Sequence, residues 1–263
     1  MTNEPELFFP FLMRGVGISS PGMKKQVSGI VVAFLCGSAL SLFAGEPGEV
    51  LVFEDNFDRE ETQTAKDEPG NDWTTNSEAR AKGNKQVFLR DGHVFIERHA
   101  EADHAATLSR SIDLRNGTIA LKLKFSDVKD NIHLNFADPR EKSVHAGHLF
   151  HVSINPKRVM LTDLKFGQQN LAIRPAYQKK SLSDEQKALL ASKTKRFGNE
   201  LELGKWHEVR VTIKGDEIRC AIDGKQVGAF TSEGFAHPRK TKLRLHVARS
   251  LYLDDLRIWK HGD

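Results

Sequence analysis

Residues 206–230, WHEVRVTIKGDEIRCAIDGKQVGAF, constrain the fold more than any other stretch of the chain. His207, Val209, Val211 and Ile213 alternate with Glu208, Arg210, Thr212 and Lys214. This period of two gives a strand one apolar and one polar face. Gly215-Asp216 supplies a Gly-first two-residue turn. Ile218, Cys220 and Ile222 then form a second apolar row, and Asp223-Gly224 supplies a type I′ signal. Val227 and Ala229 continue a third strand. A three-stranded meander with one apolar face needs a second layer to cover it, so the expected architecture is a two-sheet sandwich.

The 263 residues suffice for one large all-β domain or two small ones, and 39% hydrophobic content supports a core. The formal charge is +4, without a long run of one sign. A nucleic-acid partner leaves a denser basic footprint, so no nucleic-acid partner is expected. Met23-Lys24-Lys25 followed by the apolar run 27–43 reads as an export signal ending at Ala44. An uncleaved anchor is the open alternative for that run. Residues 1–22 then read as an extension upstream of the true start at Met23, and 45–263 as a single β-sandwich domain, exported to the periplasm or beyond with no membrane span after cleavage. Removing residues 1–44 takes away Arg14, Lys24, Lys25, Glu4 and Glu6 and leaves +3. Cys220 is then the sole cysteine, so no internal disulfide can form, and its place in an apolar row marks it as a buried small hydrophobe.

Strand patterns recur along the rest of the chain. Residues 50–57 read as the first strand. Residues 86–89 and 93–97 read as a hairpin over Asp91-Gly92, and 107–114 with 118–125 as another over Asn116-Gly117. Ile132, Leu134 and Phe136 alternate with His133 and Asn135. Phe150, Val152 and Ile154 alternate with His151 and Ser153, Asn155-Pro156 turns the chain and 159–163 returns it. Leu243, Leu245 and Val247 alternate with Arg244 and His246, and 252–259 closes the domain. Residues 183–197, SDEQKALLASKTKRF, have no such alternation. Ser183 and Gln186 form a capping box, with acids at the start and bases at the end, so one surface helix is expected on an insertion over about 167–204. The expected fold class is an all-β, two-sheet antiparallel jelly-roll sandwich with that one short helix.

FEDNFDR at the first strand, Gly204-Lys205-Trp206-His207, the IDG turn at 222–224 and YLDDLRIW at 252–259 resemble the concanavalin-like jelly rolls of exported bacterial proteins. The group they most resemble is the 3-keto-disaccharide hydrolases, related to family 16 glycoside hydrolases. The resemblance spans most of 50–259 and rests mainly on turn and strand-end residues. It implies a glycan or glycoside partner. The E-x-D-x-x-E signature of family 16 is absent, which argues against retaining hydrolysis by two close carboxylates.

Three constellations are candidates for chemistry. HAGHLFH carries His145, His148 and His151, with Asp138 and Asp163 as further metal ligands. Strand parity puts His148 and His151 on opposite faces unless the first two histidines lie in a loop, and ordinary surface histidines are the alternative. A polar row of His133, Asn135, His151, Ser153, Arg210, Arg219, Arg244 and His246 offers hydrogen bonds to sugar hydroxyls, and Trp206 a stacking surface. A plain solvated face is the alternative. A structural Ca²⁺ where the first and last strands meet would use Asp55 and Asp255, within a set that includes Glu54, Asp58 and Asp254. Pairing of Asp255 with a nearby arginine, or its capping of a loop, is the alternative. Three functional classes remain open. One is a carbohydrate-binding protein using His133, Asn135, Ser153, Trp206, Arg210, Arg219 and Arg244. Another is a hydrolase or lyase of 3-keto-glycosides using His148, His151 and His246 as acid and base. The third is a structural envelope or adhesion protein.

Overall fold

The computed structural model describes residues 45–262. The expected extension at 1–22 and the signal at 23–44 lie outside the described residues. In chain order the strands are β1 Glu49–Asp55, β2 Thr74–Thr75, β3 Val87–Arg90, β4 His93–Glu97, β5 Ala106–Leu114, β6 Gly117–Lys124, β7 Ile132–Ala137 and β8 His148–Asn155. They continue with β9 Arg158–Asp163, β10 Thr194–Gly198, β11 Trp206–Lys214, β12 Glu217–Ile222, β13 Lys225–Thr231, β14 Lys240–Val247 and β15 Ser250–His261. Short helices span Ser77–Arg80 (α1), Arg174–Gln178 (α2) and Asp184–Ser192 (α3).

Two antiparallel sheets result, and the jelly-roll sandwich expected from the sequence is the fold observed. The eight-stranded sheet runs β13-β12-β11-β6-β15-β4-β3, with β1 also on β15. The seven-stranded sheet runs β10-β9-β8-β7-β14-β5-β2. The meander behaves as its pattern requires. Val211 pairs with Cys220 and Ile119, and all three are fully buried. Leu108, Leu134, Phe136, Phe150, Val152, Leu161, Leu243 and Leu245 meet them from the other sheet. Phe136 and Phe150 stack at 4.7 Å, and Phe235, in a 3-10 turn, meets Phe150 edge-on at 5.3 Å. Each such side chain withdrawn from water contributes about 1.5–3 kcal/mol.

Two local expectations are overturned. Asn116-Gly117 is not a hairpin: β5 pairs with β14 and β2 in one sheet, whereas β6 pairs with β11 and β15 in the other. The dipeptide is a crossing between sheets. A Cβ at Gly117 would overlap the Trp259 carbonyl, so glycine serves close approach here rather than a positive φ. The helix also ends sooner than expected. Its capping box is present, with Gln186 N donating to Ser183 Oγ at 3.2 Å, but after Ser192 the chain becomes β10 and pairs with β9. Phe197 of β10 fills the space left by Gly228 of β13 and so joins the two sheets at this edge.

Candidate functional site

The polar face of the seven-stranded sheet is organised in rows. Cross-strand register places Thr74, Ser109, Arg244, Asn135, His151, Thr162 and Thr194 in one row. Thr107, His246, His133, Ser153, Met160 and Arg196 form the next. Both rows lie opposite the core residues by parity. Neither contains an Asp, a Glu, a Trp or a Tyr. Six members of the expected polar row, His133, Asn135, His151, Ser153, Arg244 and His246, are therefore side by side.

His148 joins them against the parity expectation. A β-bulge sets Ala137 opposite His148 and Phe136 opposite Phe150, so Leu149 and Phe150 both point into the core. The three-residue spacing from His148 to His151 thereby keeps both on one face. His148 Nδ1 lies 2.8 Å from Asn135 Oδ1 and 3.3 Å from an Arg244 Nη. The His133 and His151 rings are 4.7 Å apart, and the His148 and His246 rings 6.3 Å. Thr107 Oγ1 is 2.8 Å from His246 Nδ1.

Burial governs the electrostatics. It pulls the imidazole pKa of His148 down to about 4, helped by Arg244, His145 and Arg174. It pulls His151 and His246 down to about 3, each helped by neighbouring histidines. Burial lowers His133 as well. All four rings are neutral at pH 7, each with one nitrogen to donate and one to accept. His151 is 7% exposed, and its Nε2 is buried without a partner.

Other sequence candidates lie elsewhere. Trp206, Arg210 and Arg219 point outward too, but from the eight-stranded sheet. Trp206 meets His93 edge-on at 5.5 Å and lies under Lys124. Arg210 Nη2 reaches Glu49 at 2.6 Å, and Arg219 pairs with Glu217. None shares a face with the histidines, because parity assigns a side chain to inside or outside and not to a sheet. Thr107, Ser109, Thr162 and Lys242 went unnoticed, although Thr107 and Ser109 alternate with Leu108 by the same rule.

The metal expectations meet occupied ligands. Asp55 and Asp255 line one hollow, but Arg59 engages both oxygens of Asp55, while Phe57 N and Trp73 Nε1 donate to it as well. Burial raises the Asp55 pKa and these donors more than offset it, so the carboxyl titrates below its usual range. Lys122 holds Asp255 at 2.6 Å. Asp55 and Asp255, the two carboxylates of the Ca²⁺ expectation, are thus each paired with a cation, Arg59 and Lys122. In the HAGHLFH trio His145 is exposed and 6.3 Å from His148. Asp138 is engaged by Arg140 and Thr241, and Asp163 by Ser232 and Gly234 N. Among the described residues no group of three or more His, Cys, Asp or Glu is placed to hold a metal.

No protein-family model matches the chain. No curated protein matches it either. Solved structures do share its architecture. SCLam, a non-specific endo-β-1,3(4)-glucanase from family GH16, aligns over 83% of this chain and 94% of that one at TM-score 0.55 and 14% identity. The laminarinase catalytic domain of Thermotoga maritima aligns over 82% and 100% at TM-score 0.53 and 14% identity. The laminarinase of Rhodothermus marinus aligns over 82% and 98% at TM-score 0.53 and 12% identity. What is shared is the fold. It is a concanavalin-like jelly-roll sandwich, as the sequence resemblance implied. At these identities the likeness does not extend to the finer 3-keto-disaccharide hydrolase group.

Proposed function

We propose that the polar face of the seven-stranded sheet binds a saccharide, in an exported protein. The observation that carries this reading is the cluster of neutral imidazoles, an amide and hydroxyls around Arg244 at the centre of the two rows. Sugar hydroxyls are matched by groups that both donate and accept, and a neutral histidine does both. Solved structures of the same fold named as glucanases and laminarinases support a glycan partner. Without carboxylates in either row, hydrolysis by two acids is disfavoured here. A glycan-array screen of the purified protein, with titration of the hits, tests the reading; no binding to any glycan would overturn it.

A second reading is favoured by the convergence of His148 and His246 beside Arg244. This is proton abstraction next to the keto group of a 3-keto-glycoside, with Arg244 holding the enolate oxygen. Imidazoles with pKa values of about 3 to 4 are permanently available but weak bases, which is why binding ranks first. Turnover of a 3-keto-disaccharide, followed by proton NMR and lost in the His246→Ala variant, would reverse that order.

A further inference from the structure

A hollow of about 370 Å³ opens at the end of this face where β2, β5 and β14 meet. The volume lies in the range of small-ligand sites. Its lining includes Arg80, His104, Lys242, Arg244, His148 and His246, and no Asp or Glu. Arg80 is answered by Asp103 at 3.5 Å, both of them exposed, and Asp103 also pairs with His104. Arg244 is different. Its Nη atoms reach only the Ala146 carbonyl and His148 Nδ1, each at 3.3 Å, and among the described residues no carboxylate pairs with it. Lys242 has no carboxylate partner among the described residues either. Two cations on alternate positions of β14 thus share one hollow whose wall supplies no counter-charge.

A guanidinium withdrawn from water without a counter-ion is costly, and a planar oxyanion matches its fork of donors. Burial accordingly works against the charge on Arg244. The neighbouring imidazoles are neutral and accept or donate without adding charge. Recognition of an uncharged glycan needs the hydroxyl-matching groups of the two rows but not this pair of cations.

We infer that the hollow selects saccharides carrying an acidic substituent, a uronate carboxylate or a sulfate ester, on the face proposed above to bind saccharide. The inference rests on that proposal and narrows its ligand class. The chemistry shared by the two substituents is a planar or tetrahedral oxyanion held by Arg244 and Lys242.

The test is an array of oligosaccharides matched in backbone and differing only in a primary hydroxyl, a carboxylate or a sulfate at that carbon. Titration at low and high salt follows. Acidic members are expected to bind at least tenfold more tightly than their neutral partners at low salt, with the advantage shrinking at high salt. Lys242→Gln and Arg244→Gln are each expected to bring the acidic-to-neutral ratio below threefold. Both side chains lie at the surface of a strand, so melting within a few degrees of the parent confirms folding. Preference for the carboxylate or the sulfate arm identifies the substituent. Equal affinity for neutral and acidic members overturns this inference and leaves saccharide binding standing. Absence of binding to every member overturns both. An acidic preference untouched by either substitution places the anion elsewhere and overturns the assignment to this hollow.

Discussion

At the scale of single residues, His151 and His246 are central to the proposed saccharide site. Replacing both by Ala is expected to weaken glycan binding at least tenfold, about 1.4 kcal/mol, with the circular dichroism spectrum unchanged. Titration of the hits against the double variant measures this, and unchanged affinity in a folded protein would exclude the face. The same rings set the pH dependence of stability. Their folded pKa of about 3 lies well below the ordinary imidazole value near 6.5. The unfolded chain therefore binds the protons first. The stabilisation is complete above pH 6.5 and is lost as the pH falls from there toward 3. Each ring adds about 1.4 kcal/mol per pH unit to the slope while it stays neutral in the fold. Denaturant midpoints between pH 7 and 5 are expected to drop steeply, and less so in the His151→Asn, His246→Asn double variant; equal slopes would show that the rings are solvated. The outward placement of His133, Asn135, His151, Ser153, Arg244 and His246 was legible in the sequence, because alternation fixes which side of its own strand a residue takes. His148 was not, since one extra residue at Leu149 reverses the parity and leaves no compositional mark.

Strands and turns decide which residues share a sheet. Val211 sits at the centre of the meander, paired on both sides and fully buried. Val211→Asp would place a carboxylate in the core with no partner and is expected to cost on the order of 3 to 5 kcal/mol, read as a fall in the urea midpoint at unchanged slope. A midpoint within error of the parent would mean that this row faces solvent. The two-residue turns at Asp91-Gly92 and Asp223-Gly224 show positive φ at both positions, as their sequences require. Asn116-Gly117 carries the same letters and does something else, because Asn116 Oδ1 and its carbonyl bind Gly215 N and His261 N across the crossing. Turn chemistry is local, whereas the choice of partner strand depends on residues far away in sequence. For that reason Trp206, Arg210 and Arg219 could be read as outward but not as members of the other sheet.

At the scale of the whole molecule, two outward faces are candidates for the proposed saccharide site. One is the histidine face of the seven-stranded sheet. The other, on the eight-stranded sheet, lines up Trp206, Lys124, Tyr252, Phe95 and Phe88 across five strands. Lys124 lies over both the Trp206 and the Tyr252 rings, and Phe95 and Tyr252 are 4.6 Å apart, so these aromatics already satisfy one another. The jelly roll itself was legible from apolar alternation and turn spacing, and the structural neighbours share it. Which of the two faces gathers the histidines was not, because both are polar by parity and only three-dimensional pairing places four imidazoles on one of them. Side-chain NMR separates the faces directly. On saturation with an oligosaccharide chosen from the array, the imidazole nitrogen signals of His133, His148, His151 and His246 are expected to move while the Trp206 indole signal stays in place. Movement of Trp206 with the four imidazoles unchanged would contradict saccharide binding on the histidine face.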